Sequence, residues 1–435
     1  PNSLFRARNQ SFVSSVGRIQ PPIRYLSFHY FFLTVLCPKS NIQTDINNDN
    51  KGVKTMKFPK QLLFIPIFSA VCGAHAATPL LDSDLNDQTI YAGAAITTGA
   101  GSTVGGNLQA IEAVTLGAGS KIGANLVAGA AITLGASATV GNNVTAGMAI
   151  TLGANAEVGG DLLAGAGPIT VGGLAQVTGN VTHATNVTLS ATSSVGGAVE
   201  QGTFEDYSNN PNGPLDNQKI QLEDAQAALN LMYVDTELAT TLTVDTTFEP
   251  GVYHAAGLST TAGITITLDG NDETNLWVFN IDSYMAFGAN TTIELLNVTS
   301  DSTIIWNTGT YTTIGAGANV IGTFIAGTYA TTGAGTTLAG IDDACGAIFA
   351  TTEAVTLGTD NTMGALGCRI GAVNNILIEE DGTAVFVISD DILIEDGQDG
   401  SGGEDFFGEE EGQDDFGGEG DQEGQETSDT GSTFG

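Results

Sequence analysis

The stretch from Ala94 to Val199 reads, aligned on its glycines, AAITTGAGSTVGGNLQA (94–110), EAVTLGAGSKIGANLVA (112–128), AAITLGASATVGNNVTA (130–146), MAITLGANAEVGGDLLA (148–164), GPITVGGLAQVTGNVTH (167–183) and TNVTLSATSSVGGAV (185–199). Three apolar columns recur about every 18 residues. The first is Ile96, Val114, Ile132, Ile150, Ile169 and Val187; the second is Val104, Ile122, Val140, Val158, Val177 and Val195; the third is Leu108, Leu126, Val144, Leu162, Val181 and Val199. Self-similarity at a fixed period marks a repeat architecture in which each unit buries its apolar face by stacking on the next. The apolar pieces are short, and Gly and Asn fill the gaps, as residues that tolerate the positive φ of a tight corner. So many glycines and β-branched residues disfavour helix. The reading is an all-β, right-handed triangular parallel β-solenoid.

A fourth column carries the functional argument. Thr97, Thr115, Thr133, Thr151, Thr170 and Thr188 sit between residues read as inward, so alternation along the strand points them out. Stacked coils repeat at about 4.8 Å, which makes these threonines a straight row. The other outward columns are mixed: Thr103, Lys121, Thr139, Glu157, Gln176, Ser194 on one wall, and Asn107, Asn125, Asn143, Asp161, Asn180, Ala198 near the next. One face is therefore flat, uniform and uncharged. Two readings of the row stand side by side: Thr favours strands and its hydroxyls hydrogen-bond along a ladder, or the face binds something.

Outward from this array, residues 1–55 are read as an upstream translation artefact. Residues 56–76 are read as a secretory signal, with MKFPK as charged start, QLLFIPIFSAVCG as apolar run and Ala74-His75-Ala76 as cleavage site. The apolar run is too short to span a membrane comfortably, and Val71 before Cys72 fits a lipoprotein site poorly. The mature chain is thus expected to start at Ala77 and to be secreted. Beyond residue 76 only Lys121, Lys219 and Arg369 are basic, against 46 carboxylates. Such a balance excludes charge-driven binding to nucleic acid or anionic lipid. Cys345 and Cys368 are candidates for a disulfide in an oxidising compartment, and their spacing of little over one coil suits a bridge between adjacent coils.

The domain reading is 77–200 for the N-terminal coils, 201–240 for a loop and packing helix, 241–371 for a second set of coils and 372–435 for an acidic tail. The helix is expected over Asp216–Tyr233, where Ala225, Ala228, Leu229 and Met232 form one apolar stripe that needs a partner surface, the solenoid flank. In the second coil set the outward position is tracked as Thr260, Ala286, Thr313, Thr331 and Thr356, with further threonines beside it. Trp277, Phe279, Trp306, Phe324 and Phe349 are read as interior. Glu379–Gly435 holds 20 acids and no Lys or Arg, and is expected to be disordered. The piece TAVFVISDDILI (383–394) is expected to form one short strand pair.

Pro250-Gly251-Val252-Tyr253, followed by ITITLDG (264–270), LWVFNID (276–282), TIIWNTG (303–309) and the GAG and GTT corners, resembles the secreted ice-binding (antifreeze) proteins of cold-adapted bacteria, fungi and algae. The resemblance is strong over Thr241–Gly367. It implies a discontinuous β-solenoid with a long helix along one side, and ice as the partner. The Ala94–Val199 coils look like an extended N-terminal version of that fold and also resemble the polymer-forming bactofilins. The family has no invariant ice-contact residues to carry across, so candidates come from the outward columns: Thr260, Thr313, Thr331, Thr356, Thr97, Thr115, Thr133, Thr151, Thr170 and Thr188.

Enzyme readings fail on residue supply. Solenoid lyases and hydrolases need clustered acids with Lys or Arg, and Arg369 stands alone. Solenoid acyltransferases need a histidine base between coils, whereas His183 and His254 are isolated in the sequence. No metal-ligand spacing, phosphate loop, nucleophile elbow, EF-hand or glycine–aspartate nonapeptide repeat occurs. The expectation is a non-enzymatic, secreted protein with no cofactor and no metal, adsorbing to an ice crystal surface and inhibiting growth or recrystallisation. The alternative is an extracellular structural or adhesive protein built from stacked coils. Oligomeric state stays open.

Overall fold

Alternation of aliphatic and small or polar residues decides which side of each three-residue strand faces in, and the computed structural model follows it coil by coil. The structure describes residues 77–202 and 214–387, apart from residues 370, 372, 374 and 380. Residues 1–55, the expected signal at 56–76 and the chain beyond residue 387, which holds most of the expected acidic tail, lie outside the described residues. Three parallel sheets of 13, 12 and 12 strands form the walls of a triangular prism. From Ile96 through Val181 the residues of the three aliphatic columns are buried, as are Trp277, Phe279, Trp306 and Phe324, and all belong to one core running along the prism axis.

The order of strands shows how the chain builds this stack. The first strand of one wall, Gln88–Ala92, lies in mid-sheet, and successive coils run from it to one end of the prism at Val199–Gln201. The helix Pro214–Asn230 returns along the outside, bonding Gln218 to Gln109 near its start, while its Leu229 carbonyl accepts from Asn280 near its end. Coils then resume at the opposite end with Thr236–Glu237 and wind back until they meet the start. At the seam Ile96, Thr97 and Thr98 pair with Val355, Thr356 and Leu357, Thr103 pairs with Thr362, and Tyr91 pairs with Phe349. Both coil sets are therefore one continuous stack.

Corners hold the coils at strand spacing. Gly99 lies so close to the coil beside it that a Cβ there would fall 2.3 Å from the carbonyl oxygen of Gly358. The left-handed corner position is taken in turn by Gly101, Gly119, Ser137, Asn155 and Leu174, with φ from 56° to 74°. Asn107, Asn125, Asn143, Asp161 and Asn180 form a ladder at another corner. Each Oδ1 accepts the backbone N–H one coil on, at 2.7–3.2 Å, satisfying amides that the bend would otherwise strand.

The helix covers part of one wall. Its Leu222, Ala225, Ala228 and Leu229 pack on Tyr91, Val252, Val278, Ile305, Ile325 and Phe349. Phe349, expected inside the prism, instead points outward beneath the helix, and Ile348 takes the interior place. Inside, Tyr253, Phe279, Trp306 and Phe324 stack ring on ring, with Phe279 and Trp306 centroids 3.9 Å apart. Cys345 and Cys368 are joined as a disulfide, with Cα atoms 5.1 Å apart. Ala384–Phe386 pairs antiparallel with Ile376–Ile378, which also pairs with Thr78–Pro79; the rest of the strand pair expected over 383–394 lies outside the described residues.

Candidate functional site: a threonine wall

Eleven of the twelve strands of the second wall are triplets in which the outer residues point to the core side and the middle one faces out; the twelfth, Thr241–Leu242, keeps the same alternation. In register along its 12 strands the outward residues are Thr188, Thr170, Thr151, Thr133, Thr115, Thr97, Thr356, Thr331, Thr313, Ala286, Ser259 and Thr241. At about 4.8 Å per strand the row is about 50 Å long. The register crosses the seam without a shift, because Thr97 pairs with Thr115 on one side and Thr356 on the other. Nine of the ten threonines expected to face out do so.

Thr260 is the exception. It is buried, with Oγ1 2.9 Å from that of Thr291 and accepting the Gly288 N–H at 2.8 Å. Leu258 and Thr260 are the inward residues of that strand, and Ser259 faces out, pairing with Ala286. A slip of one residue exchanges the two faces of a strand. Thr312, Thr332 and Thr336 are likewise buried. The inward Leu258, in register with Met285, is the signal that places Ser259 outside.

What flanks the row differs along it. Two residues before the outward threonine, the coils from 94 to 152 carry Ala95, Ala113, Ala131 and Ala149; two residues after come Gly99, Gly117, Gly135 and Gly153. In the other coil set the preceding position holds Tyr284, Tyr311 and Tyr329, whose rings stack with centroids 5.7 and 5.0 Å apart. Accordingly Thr97, Thr115, Thr133 and Thr151 are exposed, whereas Thr313 and Thr331 are half-buried. Thr331 donates to the hydroxyl of Thr313 at 3.4 Å. Glu112 and Glu353 sit at the corner before these strands, and Asp360 at the corner after them.

The third wall carries Lys121 and Glu157 among Thr103, Thr139 and Gln176. An open groove beside Leu366 is lined by Lys121, Thr139, Glu157 and Gln176. His254 is not isolated in space: Nδ1 lies 2.7 Å from Glu237 Oε2 and Nε2 3.0 Å from Asp282 Oδ1. The hydrogen bond to Glu237, then that to Asp282, raises its pKa above the ordinary 6.5. This triplet ties the end coil to the two that follow it. The His183 ring has a buried Nδ1 with no hydrogen-bond partner. Among the described residues no group of three or more His, Cys, Asp or Glu side chains could hold a metal ion.

Of the three walls, one is covered in part by the helix and one carries mixed charge. The threonine wall is regular and uncharged along the whole of its outward row. Stiff β-branched side chains there hold a hydroxyl and a methyl in fixed places, an arrangement suited to ordering water rather than to reaction.

Among solved structures the chain is similar to an ice-binding protein from the Antarctic ascomycete Antarctomyces psychrotrophicus, at 16% identity and a TM-score of 0.38, over 66% of this chain and 98% of that one. It is similar also to a glycosylated ice-binding protein from an Arctic yeast, at 17% identity and a TM-score of 0.37, over 66% of this chain and 94% of that one. A third is the DUF3494 domain of Shewanella frigidimarina ice-binding protein 1, at 18% identity and a TM-score of 0.35, over 66% of this chain and 100% of that one. No curated protein matches the sequence. The family model described as ice-binding-like matches residues 169–363, from the last two coils of the first array through the helix to Met363.

Proposed function

We propose that this is a secreted ice-binding protein that adsorbs to ice through the threonine wall and thereby inhibits crystal growth or recrystallisation. The observation that carries the reading is the run of outward threonines in register from Thr188 across the seam to Thr313, in a chain whose residues 169–363 match an ice-binding-like family model. Ice offers no charge and no pocket to recognise. A binder gains by presenting waters already ordered, because water or side chains ordered only on contact subtract from affinity. The rung spacing lies close to an oxygen repeat in the ice lattice, so a row of threonines can match it over many rungs. No reactive group is required, and a non-enzymatic role follows.

Export is part of the proposal. It rests on the signal-like residues 56–76 and on the disulfide, which suits an oxidising compartment. No helix among the described residues is long and apolar enough to cross a membrane.

The test is ice-affinity partition of the purified chain with a recrystallisation assay. Thr331→Tyr or Thr356→Tyr should leave folding intact and sharply lower activity. Full activity in both variants would show that the wall is not the contact. A second reading, end-to-end stacking into a structural or adhesive fibre, is favoured by one observation: at the end coil Leu189 and Val199 are 43% and 44% exposed. Concentration-dependent filaments in light scattering, without any effect on ice, would support it.

A further inference from the structure

The family match and the strand order, taken together, locate an insertion. The match begins at Ile169 and ends at Met363. Eight of the twelve outward positions on the threonine wall fall inside it: Thr170, Thr188, Thr241, Ser259, Ala286, Thr313, Thr331 and Thr356. The other four, Thr97, Thr115, Thr133 and Thr151, precede it in sequence. In space they do not hang off an end. They lie between Thr170 on one side and Thr356 on the other, in the middle of the wall.

We infer that these four coils are an in-line extension of the ice face and supply the centre of the contact. The inference rests on the threonine wall being the ice-binding surface. Three features support it. The four coils repeat at exact 18-residue intervals, so they add whole rungs and leave Thr170 and Thr356 in one row. Their threonines are exposed and bordered by Ala95, Ala113, Ala131 and Ala149, where part of the matched region bears the phenol rings of Tyr284, Tyr311 and Tyr329. Their corner ladder of Asn107, Asn125, Asn143 and Asp161 repeats with the same period, so coils can be removed or added without leaving a backbone amide unpaired.

An adsorbing face gains in proportion to the rungs that meet the crystal together, provided they share one plane and one spacing. Rungs in the middle of a row are the last to be lost when the protein tilts. A bulky side chain there lifts neighbours on both sides, whereas one at an end lifts few.

The experiment uses the full chain and three changes, beside the Thr331→Tyr variant of the preceding test. Removing residues 112–147 takes out two coils and joins Ile111 to Met148, which is equivalent in the repeat to Glu112. Thr133→Tyr places a wedge on the central coils, and Thr139→Tyr places the same side chain on the charged wall of the same coil. Unfolding temperature and far-ultraviolet circular dichroism check folding; ice partition and the lowest concentration that stops recrystallisation are read for each. The inference expects Thr133→Tyr to raise that concentration by about tenfold or more, the loss produced by disrupting the centre of an interface. The two-coil deletion should raise it by a smaller factor, and Thr139→Tyr should leave it unchanged. Wild-type activity in both Thr133→Tyr and the folded deletion, with loss in Thr331→Tyr, would overturn the inference while leaving the wall as the ice face. Failure of the unaltered protein to partition into ice would instead remove the underlying reading. Should the deletion not fold, the two point variants decide.

Discussion

Replacing Thr260 by Val keeps the shape of an inward side chain but takes the acceptor from the Gly288 N–H and the partner from Thr291 Oγ1. Leaving buried polar groups unmatched costs about 1–3 kcal/mol, so denaturant unfolding should show a loss of that size, with ice activity at matched folded concentration unchanged. A loss of activity without a loss of stability would place Thr260 on the surface after all. His254 adds a pH test. Its raised pKa means that the contacts to Glu237 and Asp282 stabilise the protonated ring. The stability gained is fully present below the unfolded value near 6.5 and is lost as pH rises through the higher folded value. The melting-temperature gap between the wild type and His254→Gln should therefore be widest below pH 6.5 and shrink above it; a gap that widens with pH would contradict the assigned contacts. At this scale the regular coils were legible and the irregular ones less so. Where the period is strict, one aliphatic column gives the phase of every neighbouring residue. In LSTT (258–261) the spacing drifts and the choice of middle residue turns on Leu258 alone.

The helix Pro214–Asn230 and the wall beneath it form the second packed layer of the molecule. Leu229 is fully buried there, and Leu229→Ala should cost about 2–5 kcal/mol through the cavity it leaves. The threonine wall lies on another side of the prism, so ice partition of the folded fraction should not change; unchanged stability would mean that the helix does not hold this wall. Its existence was legible because Ala225, Ala228, Leu229 and Met232 repeat with helical period in a chain otherwise of strand period. The start came two residues earlier than expected, at Pro214, and the end three earlier, at Asn230. Phe349 was not legible. The strand Ala347–Ala350 is buried on both faces, by the core and by the helix layer, so AIFA is apolar throughout and alternation gives no phase.

Whole-molecule architecture rests on pairings that no local pattern encodes. Ile96 meets Val355 because the second coil set starts at the far end of the prism and winds back to the first, a junction that the sequence alone leaves open between one solenoid and two. The triangular solenoid and the threonine column were legible from one array; the doubling of that column into a single row about 50 Å long was not, since it depends on the seam. That row is the central claim, and ice-affinity partition of the purified chain against Thr133→Tyr and Thr139→Tyr tests it most directly. The account predicts that the unaltered chain and Thr139→Tyr concentrate in slowly grown ice while Thr133→Tyr stays in the liquid. Equal partition of all three, or exclusion of the unaltered chain, would contradict it.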